Sequence, residues 1–145
     1  MIVQSTVFAA AGAKLTTAFT GIGLSSDSAL ASRLVHCVGM SRATELLLLP
    51  QPFLAETAQE WGLVHRVVAA EQVAEEARGV AARLAEGPTA AYRAVKTVLA
   101  TAATDSLEDT LALEARLQSE LGRTADHREA VEAFLEKRAP EFTGR

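Results

Sequence analysis

Gly21-Ile22-Gly23-Leu24-Ser25-Ser26-Asp27-Ser28-Ala29-Leu30, running on through Arg33-Leu34-Val35 to Val38-Gly39, is the stretch that decides the fold. Gly21 and Gly23 flank Ile22 and read as a loop. Ser25, Ser26 and Asp27 then stand just ahead of Leu30, Leu34, Val35 and Val38. Apolar positions spaced by three and four make one helix face, and Ser or Asp ahead of them marks a helix start. Gly39 stops that helix, Ser41 caps the next, and Glu45 to Leu49 carry it to the breakers Pro50 and Pro52.

Upstream, Ile2 to Ala11 contains Ile2, Val3, Val7 and Phe8 and predicts a short strand. Downstream, Ala55 to Trp61 predicts a short helix ended by Gly62, and Leu63 to Val68 alternates as a second strand. Beyond residue 70 the pattern becomes helix after helix. Val73, Ala77, Val80, Ala81 and Leu84 form one stripe, closed by Gly87-Pro88; Ala91, Val95, Val98, Leu99 and Ala102 form another. Ser106-Leu107-Glu108-Asp109 reads as a capping box opening a helix with Leu113, Leu117 and Leu121. Asp126-His127-Arg128-Glu129 reads as a second box, with Ala130, Phe134 and Lys137 following and Pro140 ending the helix. Two short strands cannot form a stable sheet alone. The amphipathic helices need a surface that the Gly-rich half is too small to provide. The pattern therefore predicts the later part of a larger α/β domain, or a subunit finished by its neighbours.

Composition narrows the function. The 145 residues are 49% hydrophobic and 22% charged, with 14 Lys plus Arg against 18 Asp plus Glu. A formal charge of -4 argues against nucleic-acid binding, which needs a basic stripe. One cysteine, Cys37, excludes an internal disulfide and a thiolate-rich zinc site, and the spacing of His36, His65 and His127 suits neither a metal nor nucleophilic catalysis. No apolar run reaches the roughly 20 residues of a membrane span, and the first residues lack the pattern of a secretory signal. A cytoplasmic protein without metal is expected. His36 is expected on an outer helix face, His65 on a strand and His127 at a helix start. Cys37 is expected to be a small buried hydrophobe. Trp61 packs a helix end, and Ser25 and Ser26 lack the elbow of a serine nucleophile.

The stretch 21–48, taken with Ala58-Gln59-Glu60-Trp61-Gly62-Leu63-Val64, Arg66-Val67-Val68, the Ala-Arg-Leu-Ala run at 82–85, Gly87-Pro88, Lys96 and the ending Ala133 to Phe142, resembles the enoyl-CoA hydratase/isomerase (crotonase) superfamily. Within it, Ile22-Gly23-Leu24-Ser25 with Asp27 and the ending Leu135-Glu136-Lys137-Arg138-Ala139-Pro140 look most like the phenylacetate-pathway branch, which isomerises a ring-epoxide of phenylacetyl-CoA or moves an enoyl-CoA double bond. The resemblance implies an α/β fold: the C-terminal part of a crotonase-like ββα spiral over residues 1–69, then a helical trimerisation region over 70–145. It implies an acyl-CoA substrate, with coenzyme A entering as part of that substrate and no separate cofactor, and a homotrimer or dimer of trimers. In the family, two backbone N–H groups hold the thioester oxygen while an enolate develops. Both would precede Met1, so the chain by itself is expected to be inactive. A non-catalytic oligomerisation or scaffold fragment is the alternative.

Residue by residue, the resemblance assigns catalysis to Asp27, as acid/base for isomerisation. Its apolar neighbours Leu24 and Leu30 would line the acyl pocket; the bland alternative for Asp27 is a helix N-cap. Phe19 stands where hydratases carry a second catalytic Glu. An apolar ring cannot activate water, so isomerisation is expected over hydration, with Phe19 on the pocket wall. Phe134 and Lys137, three apart on the last helix, are expected on one face and would bind the CoA adenine and a phosphate; a core Phe beside a solvated Lys is the alternative. Three departures from the family stand out. Leu49-Pro50-Gln51-Pro52 replaces a Thr-Gly turn, Leu54 replaces a Ser cap at a cost of about 1 kcal/mol, and Ser28-Ala29 stand where many members have a Gly pair.

Overall fold

The computed structural model describes residues 6–145, which divide into two compact units, 6–77 and 78–145. The first unit opens with β1 (Phe8–Ala10), turns at Gly12 (φ +72°) and continues into β2 (Lys14–Leu15). A 3-10 turn over Thr20–Ile22 ends at Gly23, whose φ of 75° is the left-handed conformation that glycine adopts without steric cost. Next come α1 (Leu30–Leu48), β3 (Phe53–Leu54), α2 (Ala55–Glu60) and β4 (Arg66–Val68). A 3-10 turn at Ala70–Gln72 leads into α3 (Val73–Ala85).

The sequence predicts two strands; the described residues hold four, in two separate pairs. β1 runs parallel to β4, with Phe8 opposite Arg66 and Ala10 opposite Val68. β2 runs antiparallel to β3, with Lys14 opposite Leu54. The parallel pair needs a long crossover, and α1 and α2 supply it. β2 and β3 are two residues each, too short for an alternating pattern to register. The expected first strand shrinks to Phe8–Ala10, with residues 2–5 outside the described chain. The second shrinks to Arg66–Val68, which leaves His65 just ahead of the strand rather than on it. His65 still serves the pair: its Nδ1 accepts the Val7 N–H at 2.9 Å, while the Val7 carbonyl accepts the His65 N–H at 2.9 Å.

Pairs this short depend on helices for support. α2 packs on β2, β3 and β4 through the fully buried Ala55 and Ala58, small enough to let helix and strands approach closely. Glu56, in the first turn of α2, accepts the Gly12 N–H at 2.8 Å and so fastens the β1–β2 turn. The apolar core is built on α1. Leu34, Ala43 and Leu46 are buried, and Leu30, Val35, Val38, Phe53, Trp61 and Leu63 close around them. The expected break at Gly39 is present, with φ 76° and ψ 165° inside the helical run. Trp61 caps the end of α2, lies 5.1 Å from the Phe53 ring and carries the Arg42 guanidinium 4.5 Å above it. Cys37 is exposed, not the buried hydrophobe expected.

The second unit holds the end of α3, then α4 (Thr89–Ala102), α5 (Leu107–Leu121) and α6 (Ala125–Glu136). α4 packs on α5. The helix starts follow local chemistry. The Ser106 hydroxyl oxygen accepts the Asp109 N–H at 3.1 Å and donates to the Asp109 carboxylate at 2.6 Å, so half of a capping box forms. The predicted box at Asp126 is corrected. Thr124 is the cap, accepting the His127 N–H at 3.1 Å, and Asp126 lies inside the first turn with its carboxylate turned to the chain end. The end of α6 is corrected too. It stops at Glu136, before Pro140, because Lys137 adopts φ 58° and leaves the helix.

Candidate functional site

The candidate residues fall into two groups, one per unit. Phe19, Leu24, Asp27 and Leu30 belong to 6–77; Phe134 and Lys137 belong to 78–145.

The first group sits on the loop 17–29 and the start of α1. The Thr17 hydroxyl donates to the Leu46 carbonyl and the Thr20 hydroxyl to the Leu47 carbonyl, so the far end of α1 anchors the loop. Within it, the Phe19 carbonyl accepts the N–H groups of Ile22 (3.1 Å) and Leu24 (3.0 Å). Phe19 is half-buried, Leu24 is exposed, and Leu30 packs against the Leu34–Leu46 core. Asp27 is exposed. The N-cap alternative for its side chain is corrected: Ala29 occupies the cap with no side-chain bond, and Asp27 contributes its backbone carbonyl, which accepts the Leu30 N–H at 2.9 Å. Its carboxylate receives no hydrogen bond among the described residues. Ser28 (φ 51°) and Ala29 (φ 62°) are both left-handed. The backbone has thus kept a glycine-type turn with residues that carry a Cβ, at a cost of roughly 1 kcal/mol each.

The second group is placed differently from expectation. Phe134 is 81% exposed, so the core reading of this ring does not hold. Lys137 does not share its helix face, because it is the left-handed C-cap, with its N–H turned to the Ala133 and Phe134 carbonyls. Both side chains nevertheless lie at one helix end and face solvent.

What sequence reasoning missed is the apparatus behind them. The Arg138 guanidinium binds Glu129 through two nitrogens, at 2.5 and 3.1 Å, and Glu136 through Nε at 2.6 Å. The Glu129 carboxylate also accepts the Glu141 N–H at 2.9 Å. These donors, the Arg138 guanidinium first, pull the Glu129 carboxyl down to about 2 and raise Arg138. Buried Asp126 accepts the Thr143 N–H at 2.7 Å and the Gly144 N–H at 2.9 Å, bonds that hold its carboxyl below the usual range. The tail is thus folded back on α6. The spacing Asp126–Glu129 was legible, but as a helix start; its partners lie 9 to 18 residues on, where no local pattern reaches.

Two hollows lie elsewhere. One, of about 400 Å³, runs along α1 beside Val35, His36, Met40 and Leu47. The other, of about 480 Å³, lies between α4 and α5 beside Val95, Val98, Leu117 and Leu121. Neither is lined by a candidate residue. Among the described residues no cluster of His, Cys, Asp and Glu is arranged to hold a metal, and no helix is long and apolar enough to cross a membrane.

Comparison with known proteins decides the relationship. A family profile described as Enoyl-CoA hydratase/isomerase matches residues 2–145. The chain belongs to the enoyl-CoA hydratase/isomerase family. It is 46% identical over 139 residues to a probable enoyl-CoA hydratase of Rhodobacter capsulatus, covering 96% of this chain and 54% of that protein. It is 41% identical over 139 residues to the 1,2-epoxyphenylacetyl-CoA isomerase of Escherichia coli K12, covering 96% and 53%. The crystal structure of the Bacillus anthracis enoyl-CoA hydratase superposes with a TM-score of 0.91 at 28% identity, covering 97% of this chain and 54% of that one. The α/β, crotonase-like fold inferred from the sequence is therefore the fold of this enoyl-CoA hydratase/isomerase family chain. The chain spans about half the length of the curated relatives it matches.

Proposed function

We propose that this family member serves the isomerisation of an acyl-CoA, moving a double bond or opening a ring-epoxide through a thioester enolate, as the C-terminal part of the catalytic fold. The observation that carries the choice of isomerisation is Phe19. Phe19 is a half-buried aromatic of the 17–29 loop, and the family resemblance implies that hydration would call for a second carboxylate at this position. The 41% identity to an epoxyphenylacetyl-CoA isomerase supports the same choice, although hydratases are as common among the relatives.

In this reading Asp27 is the acid/base. It removes a proton from the acyl chain and returns it at another carbon, a role for which a carboxylate free of internal partners is suited. Leu24, Leu30 and Phe19 supply the apolar wall, and Lys137 and Phe134 take a phosphate and the adenine of CoA. Residues 1–69 end the spiral core and residues 70–145 form the oligomerisation region of a cytoplasmic trimer. Asp27 is exposed, and in this reading groups outside these residues complete the acyl pocket and bring the oxyanion donors. The 145 residues alone are then expected to bind acyl-CoA and turn it over barely above background. Isothermal titration with CoA and an enoyl-CoA isomerase assay, on wild type and Asp27→Asn, test this. Robust isomerisation by the isolated chain, lost in Asp27→Asn, overturns the incompleteness. Robust hydration insensitive to Asp27→Asn overturns the isomerase reading itself.

The exposed apolar residues of the second unit, Leu107 at 75% and Leu135 at 73% among them, favour a second reading. Here the chain is a non-catalytic oligomerisation scaffold. Sedimentation distinguishes it: trimers that ignore CoA belong to the scaffold.

A further inference from the structure

We propose that the Asp126–Glu129–Arg138 network is a positioning device for Lys137, holding the backbone at the end of α6 so that one cation of an adjacent pair stays available to an anion. The inference rests on the assignment of Lys137 to a phosphate of CoA made above.

Lys137 and Arg138 are neighbours with opposite fates. Arg138 spends its charge on two carboxylates, Glu129 and Glu136. Lys137 is exposed and has no ion pair among the described residues. It also occupies a position that ordinarily selects glycine. At φ 58° it is the left-handed residue that ends the helix, with the Arg138 N–H returning to the Ala133 carbonyl at 3.0 Å. Glycine there would relieve the Cβ clash, and lysine persists only because the surroundings over-determine the turn.

Those surroundings are the network. Glu129 holds the chain just after the turn, through Arg138 and the Glu141 N–H. Asp126 holds its far end, through the N–H groups of Thr143 and Gly144 and the Thr143 hydroxyl, while the Asp126 N–H donates to the Arg145 carbonyl. With both ends pinned to α6, the chain must reverse between Glu136 and Arg138, and Lys137 takes the reversal. Glu129 and Asp126 act through Lys137 and touch no ligand themselves.

The test is CoA affinity by titration in five proteins. Lys137→Gly should bind CoA about threefold more weakly, the size of a solvent-exposed ion pair, yet melt at a higher temperature. Lys137→Arg should retain affinity. Glu129→Ala and Asp126→Asn should each lose a similar factor with the ammonium untouched, and the Lys137 amide should exchange faster with solvent. Circular dichroism confirms that the helices remain, and Asp126→Asn serves if Glu129→Ala does not fold. Wild-type affinity in both clamp variants, with Lys137→Gly weakened, overturns the positioning role and leaves a merely structural clamp. Wild-type affinity in Lys137→Gly, or no CoA binding by the wild-type chain, instead overturns the assignment of Lys137 and the inference with it.

Discussion

The two units of this chain are held together by different forces. In residues 6–77 the buried set is apolar: Leu34, Ala43, Leu46, Ala55, Ala58 and Val64. In residues 78–145 it is mostly polar: Thr110 and Asp126 join the one small apolar residue, Ala133. The first unit is a modest core wrapped by short strands. The second is a set of helices whose ends are fixed by caps and carboxylates, while Leu107, Leu111, Phe134 and Leu135 face outward. Helices derive most of their stability from burying an apolar face. The second unit has kept such faces and left many uncovered, and it relies on hydrogen bonds to hold its shape. The difference teaches where a partner surface has most to add.

The contrast is broken most forcefully at Leu46. Leu46→Ala should cost about 2–5 kcal/mol, seen as a lower urea midpoint, because the side chain is 7% exposed and centres the first core. Acid should act on the other unit. A carboxyl lowered in the folded state contributes stability above its unfolded value, and that stability is lost as pH falls through the folded value. Glu129, at about 2, should therefore keep the Arg138–Glu141 stretch protected from amide exchange at pH 4 and release it near pH 2, and Asp126, also lowered, should hold Thr143 and Gly144 to below the ordinary carboxyl range. Loss of tail protection already at pH 5 would contradict the network.

Smaller effects sharpen the comparison. Ala29→Gly should raise the stability of the first unit by about 0.5 kcal/mol, the relief of a left-handed Cβ less the entropy of a freer unfolded chain. A drop in thermal midpoint would place Ala29 elsewhere in backbone space. Leu107→Ala should change stability least, within about 0.5 kcal/mol, since its side chain is 75% exposed. A loss comparable to that of Leu46→Ala, accompanied by a shift in sedimentation, would mean that a second copy covers α5.

The helices of the second unit were legible because each reads itself. Stripes three and four apart, Ser106 at a start and Gly87-Pro88 after an end are local signals. The helix break at Gly39 was legible for the same reason. β2 and β3 were not, since two-residue strands exist only through their pairing. Cys37 misled because composition says how often cysteine is buried, not whether this position of α1 is covered. For the candidate site, sequence motifs singled out Asp27, Phe19, Phe134 and Lys137, but exposure was beyond them. The cap assigned to Asp126 failed because a carboxylate in a first helical turn has two uses, capping its own helix or binding another segment. Only the fold-back of Thr143 and Gly144 chooses between them.

By itself, then, the sequence determined what nearest neighbours decide: helix positions, starts and stops, the glycine turns, and a family likeness carried by motifs in order. The tertiary structure alone decided which strands pair, which carboxylates hold the tail, why Lys137 leaves its helix, and which apolar faces remain open. Contacts within a turn or two are encoded in spacing. Contacts across tens of residues depend on where the whole chain has room and a partner, and that is settled only when it has folded.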